Sequence, residues 1–342
     1  MNSRAFITGV SGLELGAAER EFIRLERPWG FILFKRNIET PAQVAQLVGE
    51  LRSALGQADA PVLIDQEGGR VQRLGPPHWP VYPAGAVFGA LYDIDRSAGL
   101  SAARLSARLI AADLLELGIN VDCLPLADLP VPGADAVIGN RAYGTEPDKV
   151  AAIARAVTEG LEQGSVLPVL KHIPGHGRAT ADTHFRLPEV DTAQAELERT
   201  DFAAFQPLAD LPMAMTAHVV FSALDPAHPA TTSATIIEQV IRGVIGFQGL
   251  LMSDDVSMNA LAGTIAERTR AIVTAGCDVV LHCNGDIEEM RAVARETPEL
   301  SGKALERVKR ALASRKAPQP FDRQAARAEL DALINRAGIK SA

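Results

Sequence analysis

Residues 166–189 read VLPVLKHIPGHGRATADTHFRLPE, and the interpretation of the whole chain starts from this stretch. An apolar run, 166–170, leads directly into Lys171 and His172, as is typical of a buried strand that ends in a polar loop. Regular structure should stop soon afterwards, because Pro174 cannot donate a ladder hydrogen bond and two glycines follow closely. The stretch contains a lysine, an aspartate and three histidines between positions 171 and 184. These ionisable groups would be costly to bury without partners. The stretch therefore predicts a polar site at the end of a strand.

The composition of the 342-residue chain is that of an ordinary globular enzyme, with 47% hydrophobic and 22% charged residues. A net charge of −8 without a Lys/Arg cluster argues against binding to nucleic acid. The N-terminal sequence MNSRAFITGVSG is apolar only briefly, and no later stretch is long enough for a membrane span. We therefore expect a cytoplasmic protein with no membrane or nucleic-acid partner. The three cysteines lie in apolar runs and are interpreted as small core residues, not as disulfides or metal ligands: Cys123, Cys277 and Cys283.

Short apolar runs alternate with longer amphipathic segments along the chain, which predicts alternating strands and helices. The predicted strands are 5–10, 30–34, 61–65, 120–125, 166–173, 213–218, 250–252 and 278–282. The predicted helices are 16–26, 40–55, 101–117, 148–163, 192–209, 233–245, 264–275, 287–295, 303–314 and 323–337. Thr40-Pro41 is a plausible cap and first position of the second helix.

About eight strand–helix units without a linker or a shift in composition predict an α/β protein with a single (β/α)₈ TIM barrel. The catalytic domain would span residues 1–342, with 317–342 as a C-terminal helical extension packed on the outside of the barrel. Polar residues cluster at the carboxyl ends of the strands, where barrel enzymes build their sites: Asp65, Asp122, Lys171, His172, His218, Asp254 and Asn284. A dinucleotide-binding fold would need a glycine-rich turn after an early strand, and residues 9–12 lack the third glycine.

Asp254 ends the strand that is predicted at 250–252, and it admits two interpretations. An aspartate there can cap a following helix, a role that also suits Asp255. Alternatively, a carboxylate at the mouth of a barrel can attack a carbon centre or stabilise a cation.

His184 is the second candidate for chemistry, because Asp182 could accept a hydrogen bond from one of its ring nitrogens and raise the basicity of the other. A polar surface loop without function is the alternative. A metal site is a further rival, since His172 and His176 have HxxxH spacing. Pro174 lies between these two histidines and makes the required helix improbable, so we expect no metal.

The remaining polar residues near strand ends suit an oxygen-rich ligand, although solvated surface is the usual role of charged residues. The candidates for ligand binding are Asp65, Arg73, Arg141, Lys171 and His172. No motif for a cofactor is present in the sequence.

Several motifs together resemble the glycoside hydrolase family 3 β-N-acetylglucosaminidases of the NagZ type. They follow one another in the family's order over most of the chain. The matching segments are IDQEGGRVQR (64–73), VIGNR (137–141), KHIPGHG (171–177), DTH (182–184), LP (187–188), MTAH (215–218), MSDDVSM (252–258) and AGCD (275–278).

The resemblance implies a barrel enzyme that removes terminal β-linked N-acetylglucosamine with retention of configuration, a β-N-acetylhexosaminidase. Asp254 would be the nucleophile that forms a glycosyl–enzyme intermediate, His184 the acid/base and Asp182 its partner. The family's sugar-binding positions fall on residues that were already candidates above: Asp65, Arg73, Arg141, Lys171 and His172.

In Gram-negative members of the family the substrate is N-acetylglucosamine joined to 1,6-anhydro-N-acetylmuramic acid, with or without peptide. The resemblance thus implies recycling of peptidoglycan fragments in the cytoplasm. We expect no cofactor, and we expect a monomer, although the sequence itself carries no signal for the oligomeric state. Three alternatives stay open: a phosphorylase of the same family, a barrel that binds amino sugars without catalysis, and a β-glucosidase.

Overall fold

The computed structural model describes residues 3–179, 187–336 and 338, and its centre is a ring of parallel strands. The strands are β1 (Arg4–Thr8), β2 (Pro28–Leu33), β3 (Val62–Ile64), β4 (Val121–Asp122), β5 (Leu167–Pro168), β6 (Leu170–Ile173), β7 (Met213–Thr216), β8 (Leu250–Asp255) and β9 (Val279–His282). They are hydrogen-bonded in the order β5-β4-β3-β2-β1-β9-β8-β7-β6.

The two ends of this sheet, β5 and β6, follow each other in the chain with only Val169 between them. β5 pairs with β4 and β6 pairs with β7, so one interrupted strand joins both edges. The nitrogen of Val169 continues the ladder by donating to the carbonyl oxygens of Asp122 and Leu124. The sheet is therefore closed, and the predicted (β/α)₈ barrel is confirmed.

Helices pack around the strands of the barrel. They are α1 (Ala17–Glu26), α2 (Pro41–Leu55), α3 (Gly85–Ile94), α4 (Arg96–Glu116), α5 (Pro147–Gln163), α6 (Gln194–Arg199), α7 (Asp201–Phe205), α8 (Ile265–Ala275), α9 (Ile287–Glu296), α10 (Gly302–Ser314) and α11 (Arg323–Arg336). A π-helical segment, Ile236–Val244, lies between β7 and β8. The predicted cap of α2 is present, because the Thr40 hydroxyl accepts a hydrogen bond from the nitrogen of Gln43 at 3.2 Å. None of the helices in the described ranges is long and apolar enough to cross a membrane.

Two helix predictions were wrong. The sequence pattern gave no helix at α3, and the single helix predicted over 192–209 is broken into α6, α7 and a 3₁₀ turn. The break occurs at Thr200, which has non-helical angles (φ −119°, ψ −87°). Arg178, from a distant loop, donates to Asp201 at 2.6 Å and to Thr200 at 3.1 Å. These tertiary contacts stabilise a local conformation that the helical pattern does not predict.

The apolar residues form one layer inside the barrel and another between the strands and the helices. Neighbouring residues of β1 show the alternation, since Ile7 belongs to the inner layer and Phe6 to the outer layer. Of the two C-terminal helices, α10 contributes Val308 and Ala311 to the inner layer, whereas α11 packs against α4. The three cysteines are buried and free, as expected.

Candidate active site

A cavity of about 350 Å³ opens at the carboxyl ends of the barrel strands. Six of the residues predicted for the site line it: Asp65, Arg73, Arg141, Lys171, His172 and Asp254. They come together because parallel strands deliver their carboxyl ends to the same face of the barrel. The other two predicted residues, Asp182 and His184, lie outside the described residues.

The loop after β3 is a small hairpin in which Gln66–Gly68 pairs with Val71–Gln72. The Gln66 side chain accepts hydrogen bonds from the backbone nitrogens of Arg73 and Leu74, both at 2.9 Å, which fixes the second arm against the first. Gly68 has φ +93°, and a β-carbon there would lie 2.3 Å from the carbonyl oxygen of Pro83. Only glycine therefore fits this turn, which holds Arg73 beside Asp65.

Five charged side chains form a continuous series of ion pairs in the order Arg73, Asp65, Lys171, Glu67 and Arg141, called here the charge chain. Arg73 contacts Asp65 at 3.0 Å, and the Lys171 ammonium lies 2.9 Å from Asp65 and 2.7 Å from Glu67. Arg141 completes the chain with two parallel hydrogen bonds to Glu67, from Nε and Nη2, both 2.8 Å long. Each charge therefore has at least one partner of opposite sign.

The pairing determines the protonation states in the charge chain. Burial alone would raise the pKa of Glu67, but Lys171 and Arg141 lower it to about 2. Burial likewise opposes the charge of Asp65, and Lys171 and Arg73 hold its pKa well below its usual range. The pKa of Lys171 lies above its ordinary value, since the two carboxylates outweigh its burial. The two carboxylates and the Lys171 ammonium therefore stay ionised near neutral pH.

A further buried carboxylate, Asp128, organises the two histidines of the opening motif. Its Oδ2 lies 2.7 Å from Nδ1 of His172, and its Oδ1 accepts from the backbone nitrogen of His176 at 2.7 Å. Burial opposes the charge of Asp128, but His172 and His176 lower its pKa to about 2. An ionised carboxylate can only accept, so Nδ1 of His172 carries the hydrogen. The other ring nitrogen, Nε2, is left to meet a ligand.

His176 also lines the cavity and is held neutral. Its burial and the nearby His172 lower the pKa of His176 to about 4. Within the described residues its Nδ1 is buried without a hydrogen-bond partner. No group of three or more potential ligands among these residues is arranged to hold a metal ion.

Asp254 lies at the end of β8 on another side of the cavity. Burial opposes its charge, but His218 and His172 and the backbone nitrogen of Asp255 lower the pKa of Asp254. Its Oδ1 accepts from that nitrogen at 2.8 Å, and Oδ2 has no hydrogen-bond partner among the described residues. His218 is held behind it by contacts with Thr231 and with the carbonyl oxygen of Asp255. Asp254 is thus an ionised carboxylate that lines the cavity and keeps one oxygen without a partner in the described part of the chain.

Sequence reasoning did not assign roles to three groups at the site: Glu67, Asp128 and His176. Glu67 follows Asp65 by two positions, which is the spacing that puts side chains on the same side of an extended segment. The sequence patterns assign no role to Asp128, and they suggest His176 only as a metal ligand, which Pro174 argues against. Local spacing gives little indication of their roles, because the side chains that they pair with are up to 74 positions away in the sequence.

A cavity lined by carboxylates and cations at the carboxyl end of a (β/α)₈ barrel defines the class, an enzyme that acts on a polar small molecule. Comparison with known proteins specifies the family. The model of the glycosyl hydrolase family 3 N terminal domain matches residues 10–314. The beta-hexosaminidase of Alkalilimnicola ehrlichii is 38% identical over 295 residues, which is 85% of this chain and 83% of the relative.

Solved structures agree with this assignment. NagZ from Neisseria gonorrhoeae, in complex with N-trifluoroacetyl-D-glucosamine, has a TM-score of 0.88 and 31% identity, covering 98% of this chain and 99% of the other. A β-N-acetylglucosaminidase from Paenibacillus has a TM-score of 0.83 and 30% identity, covering 97% of this chain and 66% of the other. The chain belongs to glycosyl hydrolase family 3, and the predicted class, a glycoside hydrolase of the β-N-acetylhexosaminidase type, is confirmed.

Proposed function

We propose that the protein is a retaining exo-β-N-acetylglucosaminidase that acts through a covalent glycosyl intermediate on Asp254. The observation that carries this proposal is the carboxylate of Asp254, which lines the cavity and whose Oδ2 has no hydrogen-bond partner among the described residues. The members of the charge chain that line the same cavity are instead held in ion pairs. A lowered pKa keeps Asp254 ionised, as a nucleophile must be.

The size and chemistry of the cavity support one terminal amino sugar as the bound unit. Its volume of about 350 Å³ is at the small end of the range for ligand sites. The proposed sugar-binding groups are Asp65, Arg73, Arg141, Lys171 and His172. Carboxylates and cations held in fixed positions around one ring are suited to its hydroxyl groups. The complex of the Neisseria relative with an N-acylated glucosamine supports an amino sugar here as well.

The reaction has two steps. First, Asp254 forms a bond to C1 of the sugar while the bond from C1 to the leaving oxygen breaks, and that oxygen takes a proton from His184. A water oxygen then bonds to C1 and gives its proton to His184, and the electron pair of the C1–Asp254 bond returns to the carboxylate. Two displacements at C1 give retention of configuration. The roles of His184 and of Asp182, which would orient it, rest on the sequence motif alone.

The natural substrate that we propose is N-acetylglucosamine linked to 1,6-anhydro-N-acetylmuramic acid, with or without peptide, in peptidoglycan recycling. We infer that the enzyme is a cytoplasmic monomer, with residues 1–342 as one catalytic domain. The motifs shared with NagZ-type enzymes support this proposal.

The test compares release of 4-nitrophenol from the β-N-acetylglucosaminide and from the β-glucoside, in the wild type and in Asp254→Ala. We expect a preference for the acetamido sugar and loss of turnover in the variant. Added azide should restore release of 4-nitrophenol from the variant and give the α-glycosyl azide, because azide replaces the missing nucleophile on the same face. Failure of the wild type to cleave either substrate would contradict the proposal. Formation of sugar 1-phosphate in phosphate buffer would instead select a phosphorylase.

A further inference from the structure

Glu67 lies between Lys171 and Arg141 in the charge chain and does not face the cavity. Its side chain is only 4% exposed and does not line the cavity, whereas its partners Lys171 and Arg141 both do. It therefore stands behind the groups that are proposed to touch the sugar. Its effect on a ligand must pass through those two cations.

Both oxygens of Glu67 are used. Oε1 lies 2.7 Å from the Lys171 ammonium and 2.8 Å from Nη2 of Arg141, and Oε2 accepts from Nε of Arg141 at 2.8 Å. The two parallel bonds define the plane of the guanidinium as well as its position. The remaining hydrogen bond from Arg141 goes to the carbonyl oxygen of Val137 at 3.1 Å.

The two cations depend on Glu67 to different degrees. Lys171 would keep Asp65 as a partner at 2.9 Å if Glu67 were neutral. Arg141 would lose its ion pair with Glu67 and would face the positive charge of Lys171 with less compensation. The charge chain as it stands has three cations and two carboxylates, a net charge of +1, and neutral Glu67 would make it +2. Disorder should therefore begin at Arg141.

We propose that Glu67 is a positioning residue, which holds Arg141 and Lys171 in the orientation in which they bind the sugar. This inference rests on the proposed function, because it takes both cations as sugar-binding groups. Glu67 touches neither the sugar nor the reacting atoms. Its loss should weaken binding of the sugar more than it slows the chemical step.

The chain offers a matched control at the opposite end of the barrel. Asp278 precedes β9 and is a buried carboxylate that pairs with two arginines, Arg242 at 2.9 Å and Arg307 at 2.8 Å. Asp278→Asn therefore imitates the loss of a buried charge between two cations, far from the cavity. A purely structural cost should be similar in both variants.

The experiment measures kcat and KM for the 4-nitrophenyl β-N-acetylglucosaminide, together with the dissociation constant of N-acetylglucosamine by calorimetry, in Glu67→Gln and Asp278→Asn. We expect KM and the dissociation constant to rise at least about 10-fold in Glu67→Gln, as for loss of a charge-assisted hydrogen bond, with kcat within about threefold. Asp278→Asn should change both by less than about twofold. Equal effects in the two variants, or a loss confined to kcat, would overturn the proposal.

Two further variants keep the result decisive. Glu67→Asp retains the charge but withdraws it by one methylene, so its KM should fall between those of the wild type and Glu67→Gln even if the latter folds poorly. Because Arg141 depends on Glu67 more than Lys171 does, Glu67→Gln should raise KM by a smaller factor in an Arg141→Met background than in the wild type. Fully additive effects of the two substitutions would contradict the proposal. Calorimetry with N-acetylglucosamine tests the role of Glu67 in binding even if the wild type does not turn over the 4-nitrophenyl substrate. Failure of the proposed function can therefore be distinguished from failure of this proposal.

Discussion

On one side of the cavity the charge chain pairs all of its members, whereas on the other side Asp254 keeps one carboxylate oxygen without a partner among the described residues. The first arrangement fixes side chains, lowers the pKa values of Asp65 and Glu67, and raises the pKa of Lys171, so these three groups stay charged near neutral pH. The second leaves a charged atom available for a new bond. Under the proposed function the two arrangements have different tasks: the paired charges would bind the sugar, and the carboxylate of Asp254 would react with it.

The largest expected effect follows from removing the unpaired charge. Asp254→Asn should lower kcat/KM by about 10³-fold or more, because an amide cannot attack C1. The melting temperature should stay within about 2 °C of the wild type, since among the described residues a single hydrogen bond to the carboxylate is altered. Kinetics and thermal melts of the same preparation check both parts. A variant that keeps a tenth of the activity would show that Asp254 is not the nucleophile.

Removing a paired charge should instead cause a large loss of stability. Lys171→Met leaves Asp65 and Glu67 close together without their shared ammonium, so it should destabilise the fold by roughly 3 to 5 kcal/mol. Chemical denaturation at pH 7 measures this change. Lys149→Met is the control, because its ion pair is with the exposed Asp93, and such a pair contributes less than about 1 kcal/mol. Equal losses in the two variants would remove the distinction between the charge chain and a surface pair.

A smaller effect is expected at Asp122, which lies behind the charge chain. Burial raises the pKa of Asp122 well above its ordinary value, and its Oδ2 is buried without a partner among the described residues. When folding raises the pKa of a carboxyl group, the free energy of unfolding of the protein falls as the pH rises above the pKa of that group in the unfolded chain, about 3.9 for Asp. Asp122→Asn should therefore raise the melting temperature by about 1 to 3 °C at pH 8 and leave it unchanged near pH 4. A gain that is equal at both pH values would contradict this explanation.

The sequence predicted the barrel and the face that carries the site, because strand alternation and polar strand ends are local patterns. Asp65, Lys171, His172 and Asp254 could be placed at one face from those patterns alone. The partners of these groups could not, since Lys171 meets Asp65 across 106 positions and Arg141 meets Glu67 across 74. Which opposite charges meet depends on the closure of the barrel.

Tertiary contacts also explain the local errors. The break at Thr200 depends on Arg178, and no periodicity within 192–209 contains that information. In the same way, the tautomer of His172 depends on Asp128, which is 44 positions away. The roles predicted for Asp182 and His184 fall outside the described residues and remain predictions.

The most direct test of the central claim is to trap the intermediate on Asp254. The wild type would be incubated with a 5-fluoro-N-acetylglucosaminyl fluoride, in which the fluorine at C5 slows release of the sugar, and its intact mass would be measured before peptide mapping. The account predicts one added glycosyl group per chain, located on the peptide that contains Asp254, and no such adduct in Asp254→Asn. An enzyme that cleaves the 4-nitrophenyl substrate but carries the adduct on another residue would contradict it.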